Sequence, residues 1–234
     1  MRKRLFLLPL ILLGLYLVFL PQVNTALYQH ETTVIIHQFE EHRAETAENE
    51  RAHPAWDALW PELYQAMRDF NHTLVLSQQA SMTSPSVFEE ASIPLGEYGP
   101  EEGSPVCTIT IPAIDLQLPL YLGASEKNLS KGAAVLGQTS MPIGGESTNC
   151  VIAGHRGYRG IPYFRNLDRL QKGDTVILTN FWEQLTYEVE SMDSIEPRDL
   201  DSIQIQEGRD LLTLLTCHPY TIGTQRLIII CKRM

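Results

Sequence analysis

Beyond residue 105 the apolar positions fall into short runs broken by turn residues. These runs cover 106–111, 116–121, 149–153, 175–178, 185–189, 211–216 and 227–231. In one of them Leu185, Tyr187 and Val189 alternate with Thr186 and Glu188, the period of a half-buried strand. Each run has strand length, and so many short strands in succession predict a sandwich or a closed barrel. A single short helix is expected among them. It has Pro162 near its start, Phe164, Leu167 and Leu170 on one side, and Gly173 after it.

Upstream the period changes. Residues 27–80 read as helical: Pro61 suits a first helical position, and Leu63, Met67, Phe70 and Leu74 recur at steps of four, three and four. Trp56 and Trp60 sit just before that stretch. Residues 81–104 turn to Ser, Pro, Gly and Glu with no sustained period. That composition predicts a loop, longer than the usual connection in a compact domain and of the kind that serves as a lid.

The first 26 residues have a third pattern. Arg2-Lys3-Arg4 precedes an uncharged apolar run over 5–20. Continued through Val23 to Ala26, the run reaches the roughly 20 residues that a bilayer core requires. A cleaved signal peptide opens in the same way, but no clear A-x-A site follows. The expectation is an uncleaved anchor over 1–26 in a cell membrane, with the basic end cytoplasmic and the rest of the chain outside. The chain then divides into that anchor, a helical juxtamembrane region over 27–80, a loop or degenerate lid over 81–104, and a β domain over 105–234.

Composition narrows the function. The 234 residues have room for one full domain plus extensions. A net charge of −10 argues against a nucleic-acid surface, which needs a basic patch. Six glutamates between residues 31 and 50 read as a solvated helix face. Strand parity places Cys107 with Ile109 and Ile111, Cys150 with Ile152, and Cys231 opposite to Arg226. All three thiols are expected to be buried, with a disulfide between two of them as the competing reading.

Cys217 is different, because it closes the run 211–216, and after eight intervening residues Arg226 opens the run 227–231. If both runs are strands joined by a loop, a nucleophile and a permanent cation come side by side. A histidine that completes such a set lies in Ala153-Gly154-His155-Arg156-Gly157. Thiolate attacks carbonyl carbon, a histidine gives or takes the proton, and an arginine donates to an oxyanion without acting as a base. His30, His37, His42, His53 and His72 lie in the polar N-terminal region, and His218 would point away from Cys217 in an extended segment. No Cys-x-x-Cys or His-x-x-x-His pair occurs, so neither a metal nor a cofactor is expected.

These segments resemble the sortase family of cysteine transpeptidases. Ile109-Thr110-Ile111-Pro112 and Leu118-Pro119-Leu120-Tyr121 look like the opening strands of a sortase barrel. His155-Arg156-Gly157 matches the surroundings of the family's histidine. Thr213-Leu214-Leu215-Thr216-Cys217 matches T-L-x-T-C, and Arg226-Leu227 its arginine. Cys217-His218-Pro219-Tyr220 and Gly144-Gly145-Glu146-Ser147 are most similar to class C, the pilin-polymerising sortases.

The resemblance implies a mainly β fold: a closed eight-stranded barrel with short helices, preceded by the helical region and the anchor. It implies His155, Cys217 and Arg226 as catalytic residues and Thr216 as a substrate contact. The implied substrate is an LPXTG-type signal on a surface or pilin protein, cut between Thr and Gly. The acyl group would pass to an amine, either a pilin lysine or a cell-wall precursor. A surface thiol hydrolase and an inactive binding module are the competing readings. Class C members carry an Asp-Pro-aromatic lid, whereas this chain has Ser84 before Pro85 and an aromatic only at Phe88. The lid is therefore expected to stay open and to leave Cys217 accessible.

Overall fold

Closure of the sheet explains how so many short strands hold together. The computed structural model describes residues 7–50, 60–82, 84–158 and 161–234. The eight strands are β1 (Cys107–Ile111), β2 (Leu116–Leu122), β3 (Ala133–Val135), β4 (Thr148–Ala153), β5 (Thr175–Asn180), β6 (Gln184–Ile195), β7 (Asp210–His218) and β8 (Gln225–Arg233). They close in the order β1-β2-β3-β4-β7-β8-β6-β5. The β2/β3 and β4/β7 pairs are parallel and the others antiparallel. Closure leaves no unpaired edge, so even a three-residue strand has partners on both sides.

One face of the strands fills the barrel. Ile109, Leu118, Leu120, Ile152, Leu178, Leu212, Leu214 and Ile229 meet there in one core cluster, together with Cys107, Cys150 and Cys231. The three thiols are buried and unbridged, as their strand parity predicts. Burial pushes Cys231 up to about 12 and Cys107 and Cys150 well above the ordinary thiol range. They are inert packing groups.

Two helices lean on this barrel, α1 (Leu7–Glu50) and α2 (Pro61–Leu76). The second buries Leu63, Met67, Asn71 and Leu74, so Asn71, and not the expected Phe70, occupies the third buried position. The Asn71 carboxamide oxygen accepts from the Met141 amide at 2.7 Å, which gives the buried polar group its partner. From α1, Phe39 packs on Phe181 with ring centroids 5.0 Å apart, and Tyr28 sits edge-on to Tyr163 at 5.1 Å.

Two expectations require correction, and a third finds no support. The membrane span over 1–26 is not supported: among the described residues no helix is long and apolar enough to cross a membrane. The apolar residues belong to a 44-residue helix that carries Pro21 inside and becomes polar beyond it, while Arg2-Lys3-Arg4 lies outside the described residues. Within 27–80 the chain is helical through Glu50 and again over Pro61–Leu76, and 51–59, a stretch containing Trp56, also lies outside the described residues. The short helix near Pro162 reduces to a single 3₁₀ turn, Leu167–Arg169. Tyr163 at φ 40° breaks any helix before it. The run 185–189 extends to Ile195, because a register shift between Val189 and Ser191 inverts the alternation without ending the pairing. β3 has no sequence signal. It is three small or branched residues, all buried, and a Cβ on the preceding Gly132 would lie 2.3 Å from the Pro119 carbonyl oxygen.

The segment 81–104 departs furthest from expectation. It is seated on the barrel through 3₁₀ turns at Pro85–Phe88 and Leu95–Glu97. The Phe88 carbonyl accepts from the amides of Ala124 (2.8 Å) and Gly137 (3.0 Å), and the Ser92 hydroxyl accepts from the Gln138 amide at 2.9 Å. Two glycines make this approach possible. A Cβ on Gly123 would stand 2.6 Å from the Ala91 nitrogen, and one on Gly137 2.5 Å from the Glu90 and Val87 carbonyl oxygens. Phe88 enters a second apolar cluster with Met82, Leu136, Val151, Ala153, Ile195, Ile203 and Ile228 on the outer face of the barrel. Gly137→Ala is expected to unseat the segment. Thermal unfolding should show a loss of about 1–3 kcal/mol, as for other overpacked sites, and limited proteolysis should cut first within 81–104.

Candidate active site

The parallel pairing of β4 with β7 aligns Ala153 with Leu215, so the chain leaving β4 runs beside the last residues of β7. Two hydrogen bonds fix it there. The Gly154 amide donates to the Leu215 carbonyl at 3.2 Å, and the Thr216 hydroxyl donates to the Gly154 carbonyl at 2.8 Å. On the other side of β7, Cys217 stands directly opposite Arg226 of β8. Directly opposed residues project to the same face.

That face is the outer one. Leu212 and Leu214 belong to the barrel core, whereas Val151, Ala153 and Ile228 belong to the second cluster with Leu215 packed against it. Counting in twos, His155 follows Val151 and Ala153, Cys217 follows Leu215, and Arg226 precedes Ile228. Three strands thus bring the three expected residues to one end of the outer face, next to the cluster that holds Phe88. Cys217 is exposed although segment 81–104 is seated. The expectation of an accessible thiol fits this geometry, while that of an undocked lid does not.

His155 is held by rings. Its imidazole stacks on Tyr158 at 4.6 Å and meets Tyr163 edge-on at 5.9 Å. Its carbonyl accepts from the Phe164 amide at 2.9 Å. Gly154 is required here, since a Cβ would lie 2.8 Å from the Phe164 ring. Nε2 is buried without a hydrogen-bond partner, and the nearest carboxylate oxygen, on Glu126, is 3.7 Å away. That separation exceeds a hydrogen bond. Burial holds the imidazole below the ordinary histidine range, and the Glu126 charge pulls partly the other way. Arg226 is half-buried and anchored on its own hairpin, where Nη1 donates to the carbonyls of Gly223 (3.1 Å) and Gln225 (3.0 Å).

Thr216 does not fit the expected substrate contact. It faces inward, is buried, and its hydroxyl is committed to Gly154. It ties the strand that carries Cys217 to the loop that carries His155. Thr216→Val keeps the shape and removes the donor. It is expected to cost about 1 kcal/mol in thermal unfolding, the net worth of a typical hydrogen bond.

Arg156 is the residue that sequence reasoning missed. Its buried guanidinium donates from Nη1 to the Cys217 carbonyl (3.3 Å) and to His218 Nδ1 (2.6 Å), and pairs through Nη2 with Asp168 at 2.7 Å. It clamps the strand end that carries the thiol from the side opposite the active face. His218 is engaged there, away from Cys217, as its parity predicts. Adjacency to His155 was the available signal for Arg156. Asp168 gave none, because it lies among residues read as a short helix.

Comparison with known proteins agrees with this architecture. The sortase domain family model matches residues 109–234. Sortase D of Bacillus subtilis is 29% identical over 160 residues, which cover 67% of this chain and 77% of that protein. The sortase A relatives are spanned less fully; that of Bacillus anthracis is 28% identical with 56% of its length covered. Among solved structures, sortase C1 of GBS pilus island 1 superposes with a TM-score of 0.74 at 26% identity, covering 87% of this chain and 98% of that one. Sortase C-1 of S. pneumoniae, solved as a point mutant, gives 0.67 at 29% identity over 85% of this chain and 97% of that one. Most of these structural relatives are class C sortases. With a family model over more than half its length and a closed barrel that presents His155, Cys217 and Arg226 at one end, the chain belongs to the sortase family of cysteine transpeptidases.

Proposed function

We propose that this chain is a class C-like sortase that cuts an LPXTG-type signal between Thr and Gly and joins the acyl group to a pilin lysine. The observation that carries the reading is the cross-strand pair of Cys217 and Arg226 beside a β4 extension that delivers His155. In this mechanism the Cys217 thiolate attacks the threonine carbonyl carbon, and Arg226 donates to the oxyanion. The C–N bond then breaks, and the glycine amine leaves with the proton from His155. The incoming amine attacks the thioester, its proton passes to His155, and Cys217 leaves as thiolate. The pilin acceptor is supported by the class C character of the structural relatives, one of which is named for a pilus island.

In this proposal residues 105–234 carry the chemistry and 81–104 lie along their active face. The apolar helix start tethers the enzyme to the outside of the cell membrane. The tether is supported by the uncharged run over 5–20 and by the exposure of Leu12, Leu13, Val18, Phe19 and Val23 on α1. Tethering raises the effective concentration of enzyme and membrane-held substrate.

The experiment combines the full chain with an LPXTG peptide and three acceptors: a lysine-containing pilin peptide, an oligoglycine, and water alone. Conjugation to the lysine is the expected product. Conjugation confined to oligoglycine would assign cell-wall anchoring instead, free acid alone would assign a hydrolase, and no cleavage would leave only a binding module.

A further inference from the structure

Glu126 takes no part in the chemistry above, yet its carboxylate oxygen lies 3.7 Å from His155 Nε2. It opens a four-residue turn of helix, α3 (Glu126–Leu129), that follows β2. This turn is fixed from within. The Ser125 hydroxyl accepts from the Asn128 amide, and the Asn128 carboxamide donates to the carbonyls of Leu122 and Gly123, both at 2.9 Å. The glutamate's backbone is therefore placed by the barrel, while its side chain remains 69% exposed.

A single donor within hydrogen-bond distance of both groups would sit beside the pair and not between them. Nε2 is buried and makes no hydrogen bond, and the carboxylate oxygen stands 3.7 Å away, too far to bond it. A solvent-facing anion beside an unsatisfied imidazole nitrogen offers an acceptor on one side and a proton acceptor on the other. An ammonium group is the ligand that satisfies both.

We infer that Glu126 forms the entry subsite for the acceptor amine, holding its ammonium beside His155 before it attacks the thioester; this deepens the transpeptidase reading and rests on it. The alkylammonium loses one proton to water by way of the Glu126 carboxylate and becomes a neutral amine. The amine nitrogen then forms the C–N bond to the acyl carbon while the C–Sγ bond breaks. The second proton passes to His155 Nε2, and Cys217 leaves as thiolate. The imidazolium so formed is the acid that the next acylation uses. Glu126 is a specificity residue for the second substrate, and it favours a cationic alkylamine over an uncharged nucleophile of similar reactivity.

The test uses the full chain, its E126Q and E126D variants, an LPXTG peptide, and two acceptors. One is n-propylamine, which is protonated at neutral pH, and the other is hydroxylamine, which is not. The ratio of the propylamine KM to the hydroxylamine KM is expected to rise about threefold in E126Q, the scale of one exposed charge contact, and to recover in E126D. An unmoved ratio, or a rise that E126D shares, overturns the assignment.

A second measurement does not depend on peptide turnover. The His155 imidazole resonances are followed by NMR during titration with propylammonium chloride, against sodium chloride at equal ionic strength. A propylammonium-specific shift in the wild-type chain that E126Q loses supports the subsite, and its absence in the wild type overturns it. If neither amine forms a conjugate, the transpeptidase reading fails, and the NMR titration decides Glu126 alone.

Discussion

Cys217→Ala abolishes both signal-peptide cleavage and conjugate formation, with a fall of about 10⁴-fold or more and no loss of fold. The expectation follows from where each thiol points. Cys217 is the exposed one, on the outer face opposite Arg226. Cys107, Cys150 and Cys231 face the barrel core and are held protonated by burial, so none can substitute for it. Replacing any of those three by alanine should lower the unfolding midpoint and leave turnover per folded molecule unchanged. The measurement pairs a conjugation assay with mass spectrometry of the thioacyl intermediate. Residual acylation of the Cys217→Ala chain, or loss of turnover in a folded core-cysteine variant, would mean that the wrong thiol has been identified.

The second large effect is expected at His155. His155→Ala should lower kcat/KM by about 10²–10⁴-fold, the range for removal of a positioned proton donor. His218→Ala should cost far less in rate, since its imidazole is occupied by Arg156 on the side away from the thiol. Burial disfavours the His155 imidazolium, and this has a consequence for stability. The unfolded chain binds the proton more readily than the folded one. The contribution of this group is therefore complete above the ordinary histidine value of about 6.5 and is lost as pH falls from there toward the lower folded value. Rate constants of the two single variants over a common pH series distinguish the partners. Equal losses at His155 and His218 would show that the proton travels by another route.

The strands were legible because the barrel is lined by alternation: Leu185, Tyr187 and Val189 face in as their period requires. The three candidate site residues were legible for a related reason, since each lies at the end of a strong apolar run. The unread parts are those that only three-dimensional contact defines. β3 is too short to have a period, and its strand identity comes from its neighbours on both sides. The seating of 81–104 depends on the absence of side chains at Gly123 and Gly137, a signal that resides in the barrel and not in the segment itself. Thr216 belonged to a recognised motif, but its inward orientation sets its role. Arg156 and Asp168 are twelve positions apart in sequence and meet only through the turns that follow β4.

The pairing of β4 with β7 has a consequence for the chain before it is fully folded. Parallel neighbours cannot be joined by a tight turn, and here β5 and β6 intervene in sequence between the histidine's strand and the thiol's. That contact spans a long loop, of the kind that slows folding. Until it forms, Cys217 has Arg226 across a local hairpin but no proton donor. A partly folded chain would hold a thiol without its proton donor rather than an acyl-transfer centre. Catalytic competence and completion of the barrel then coincide, so the enzyme acquires its reactivity only once its fold can govern it.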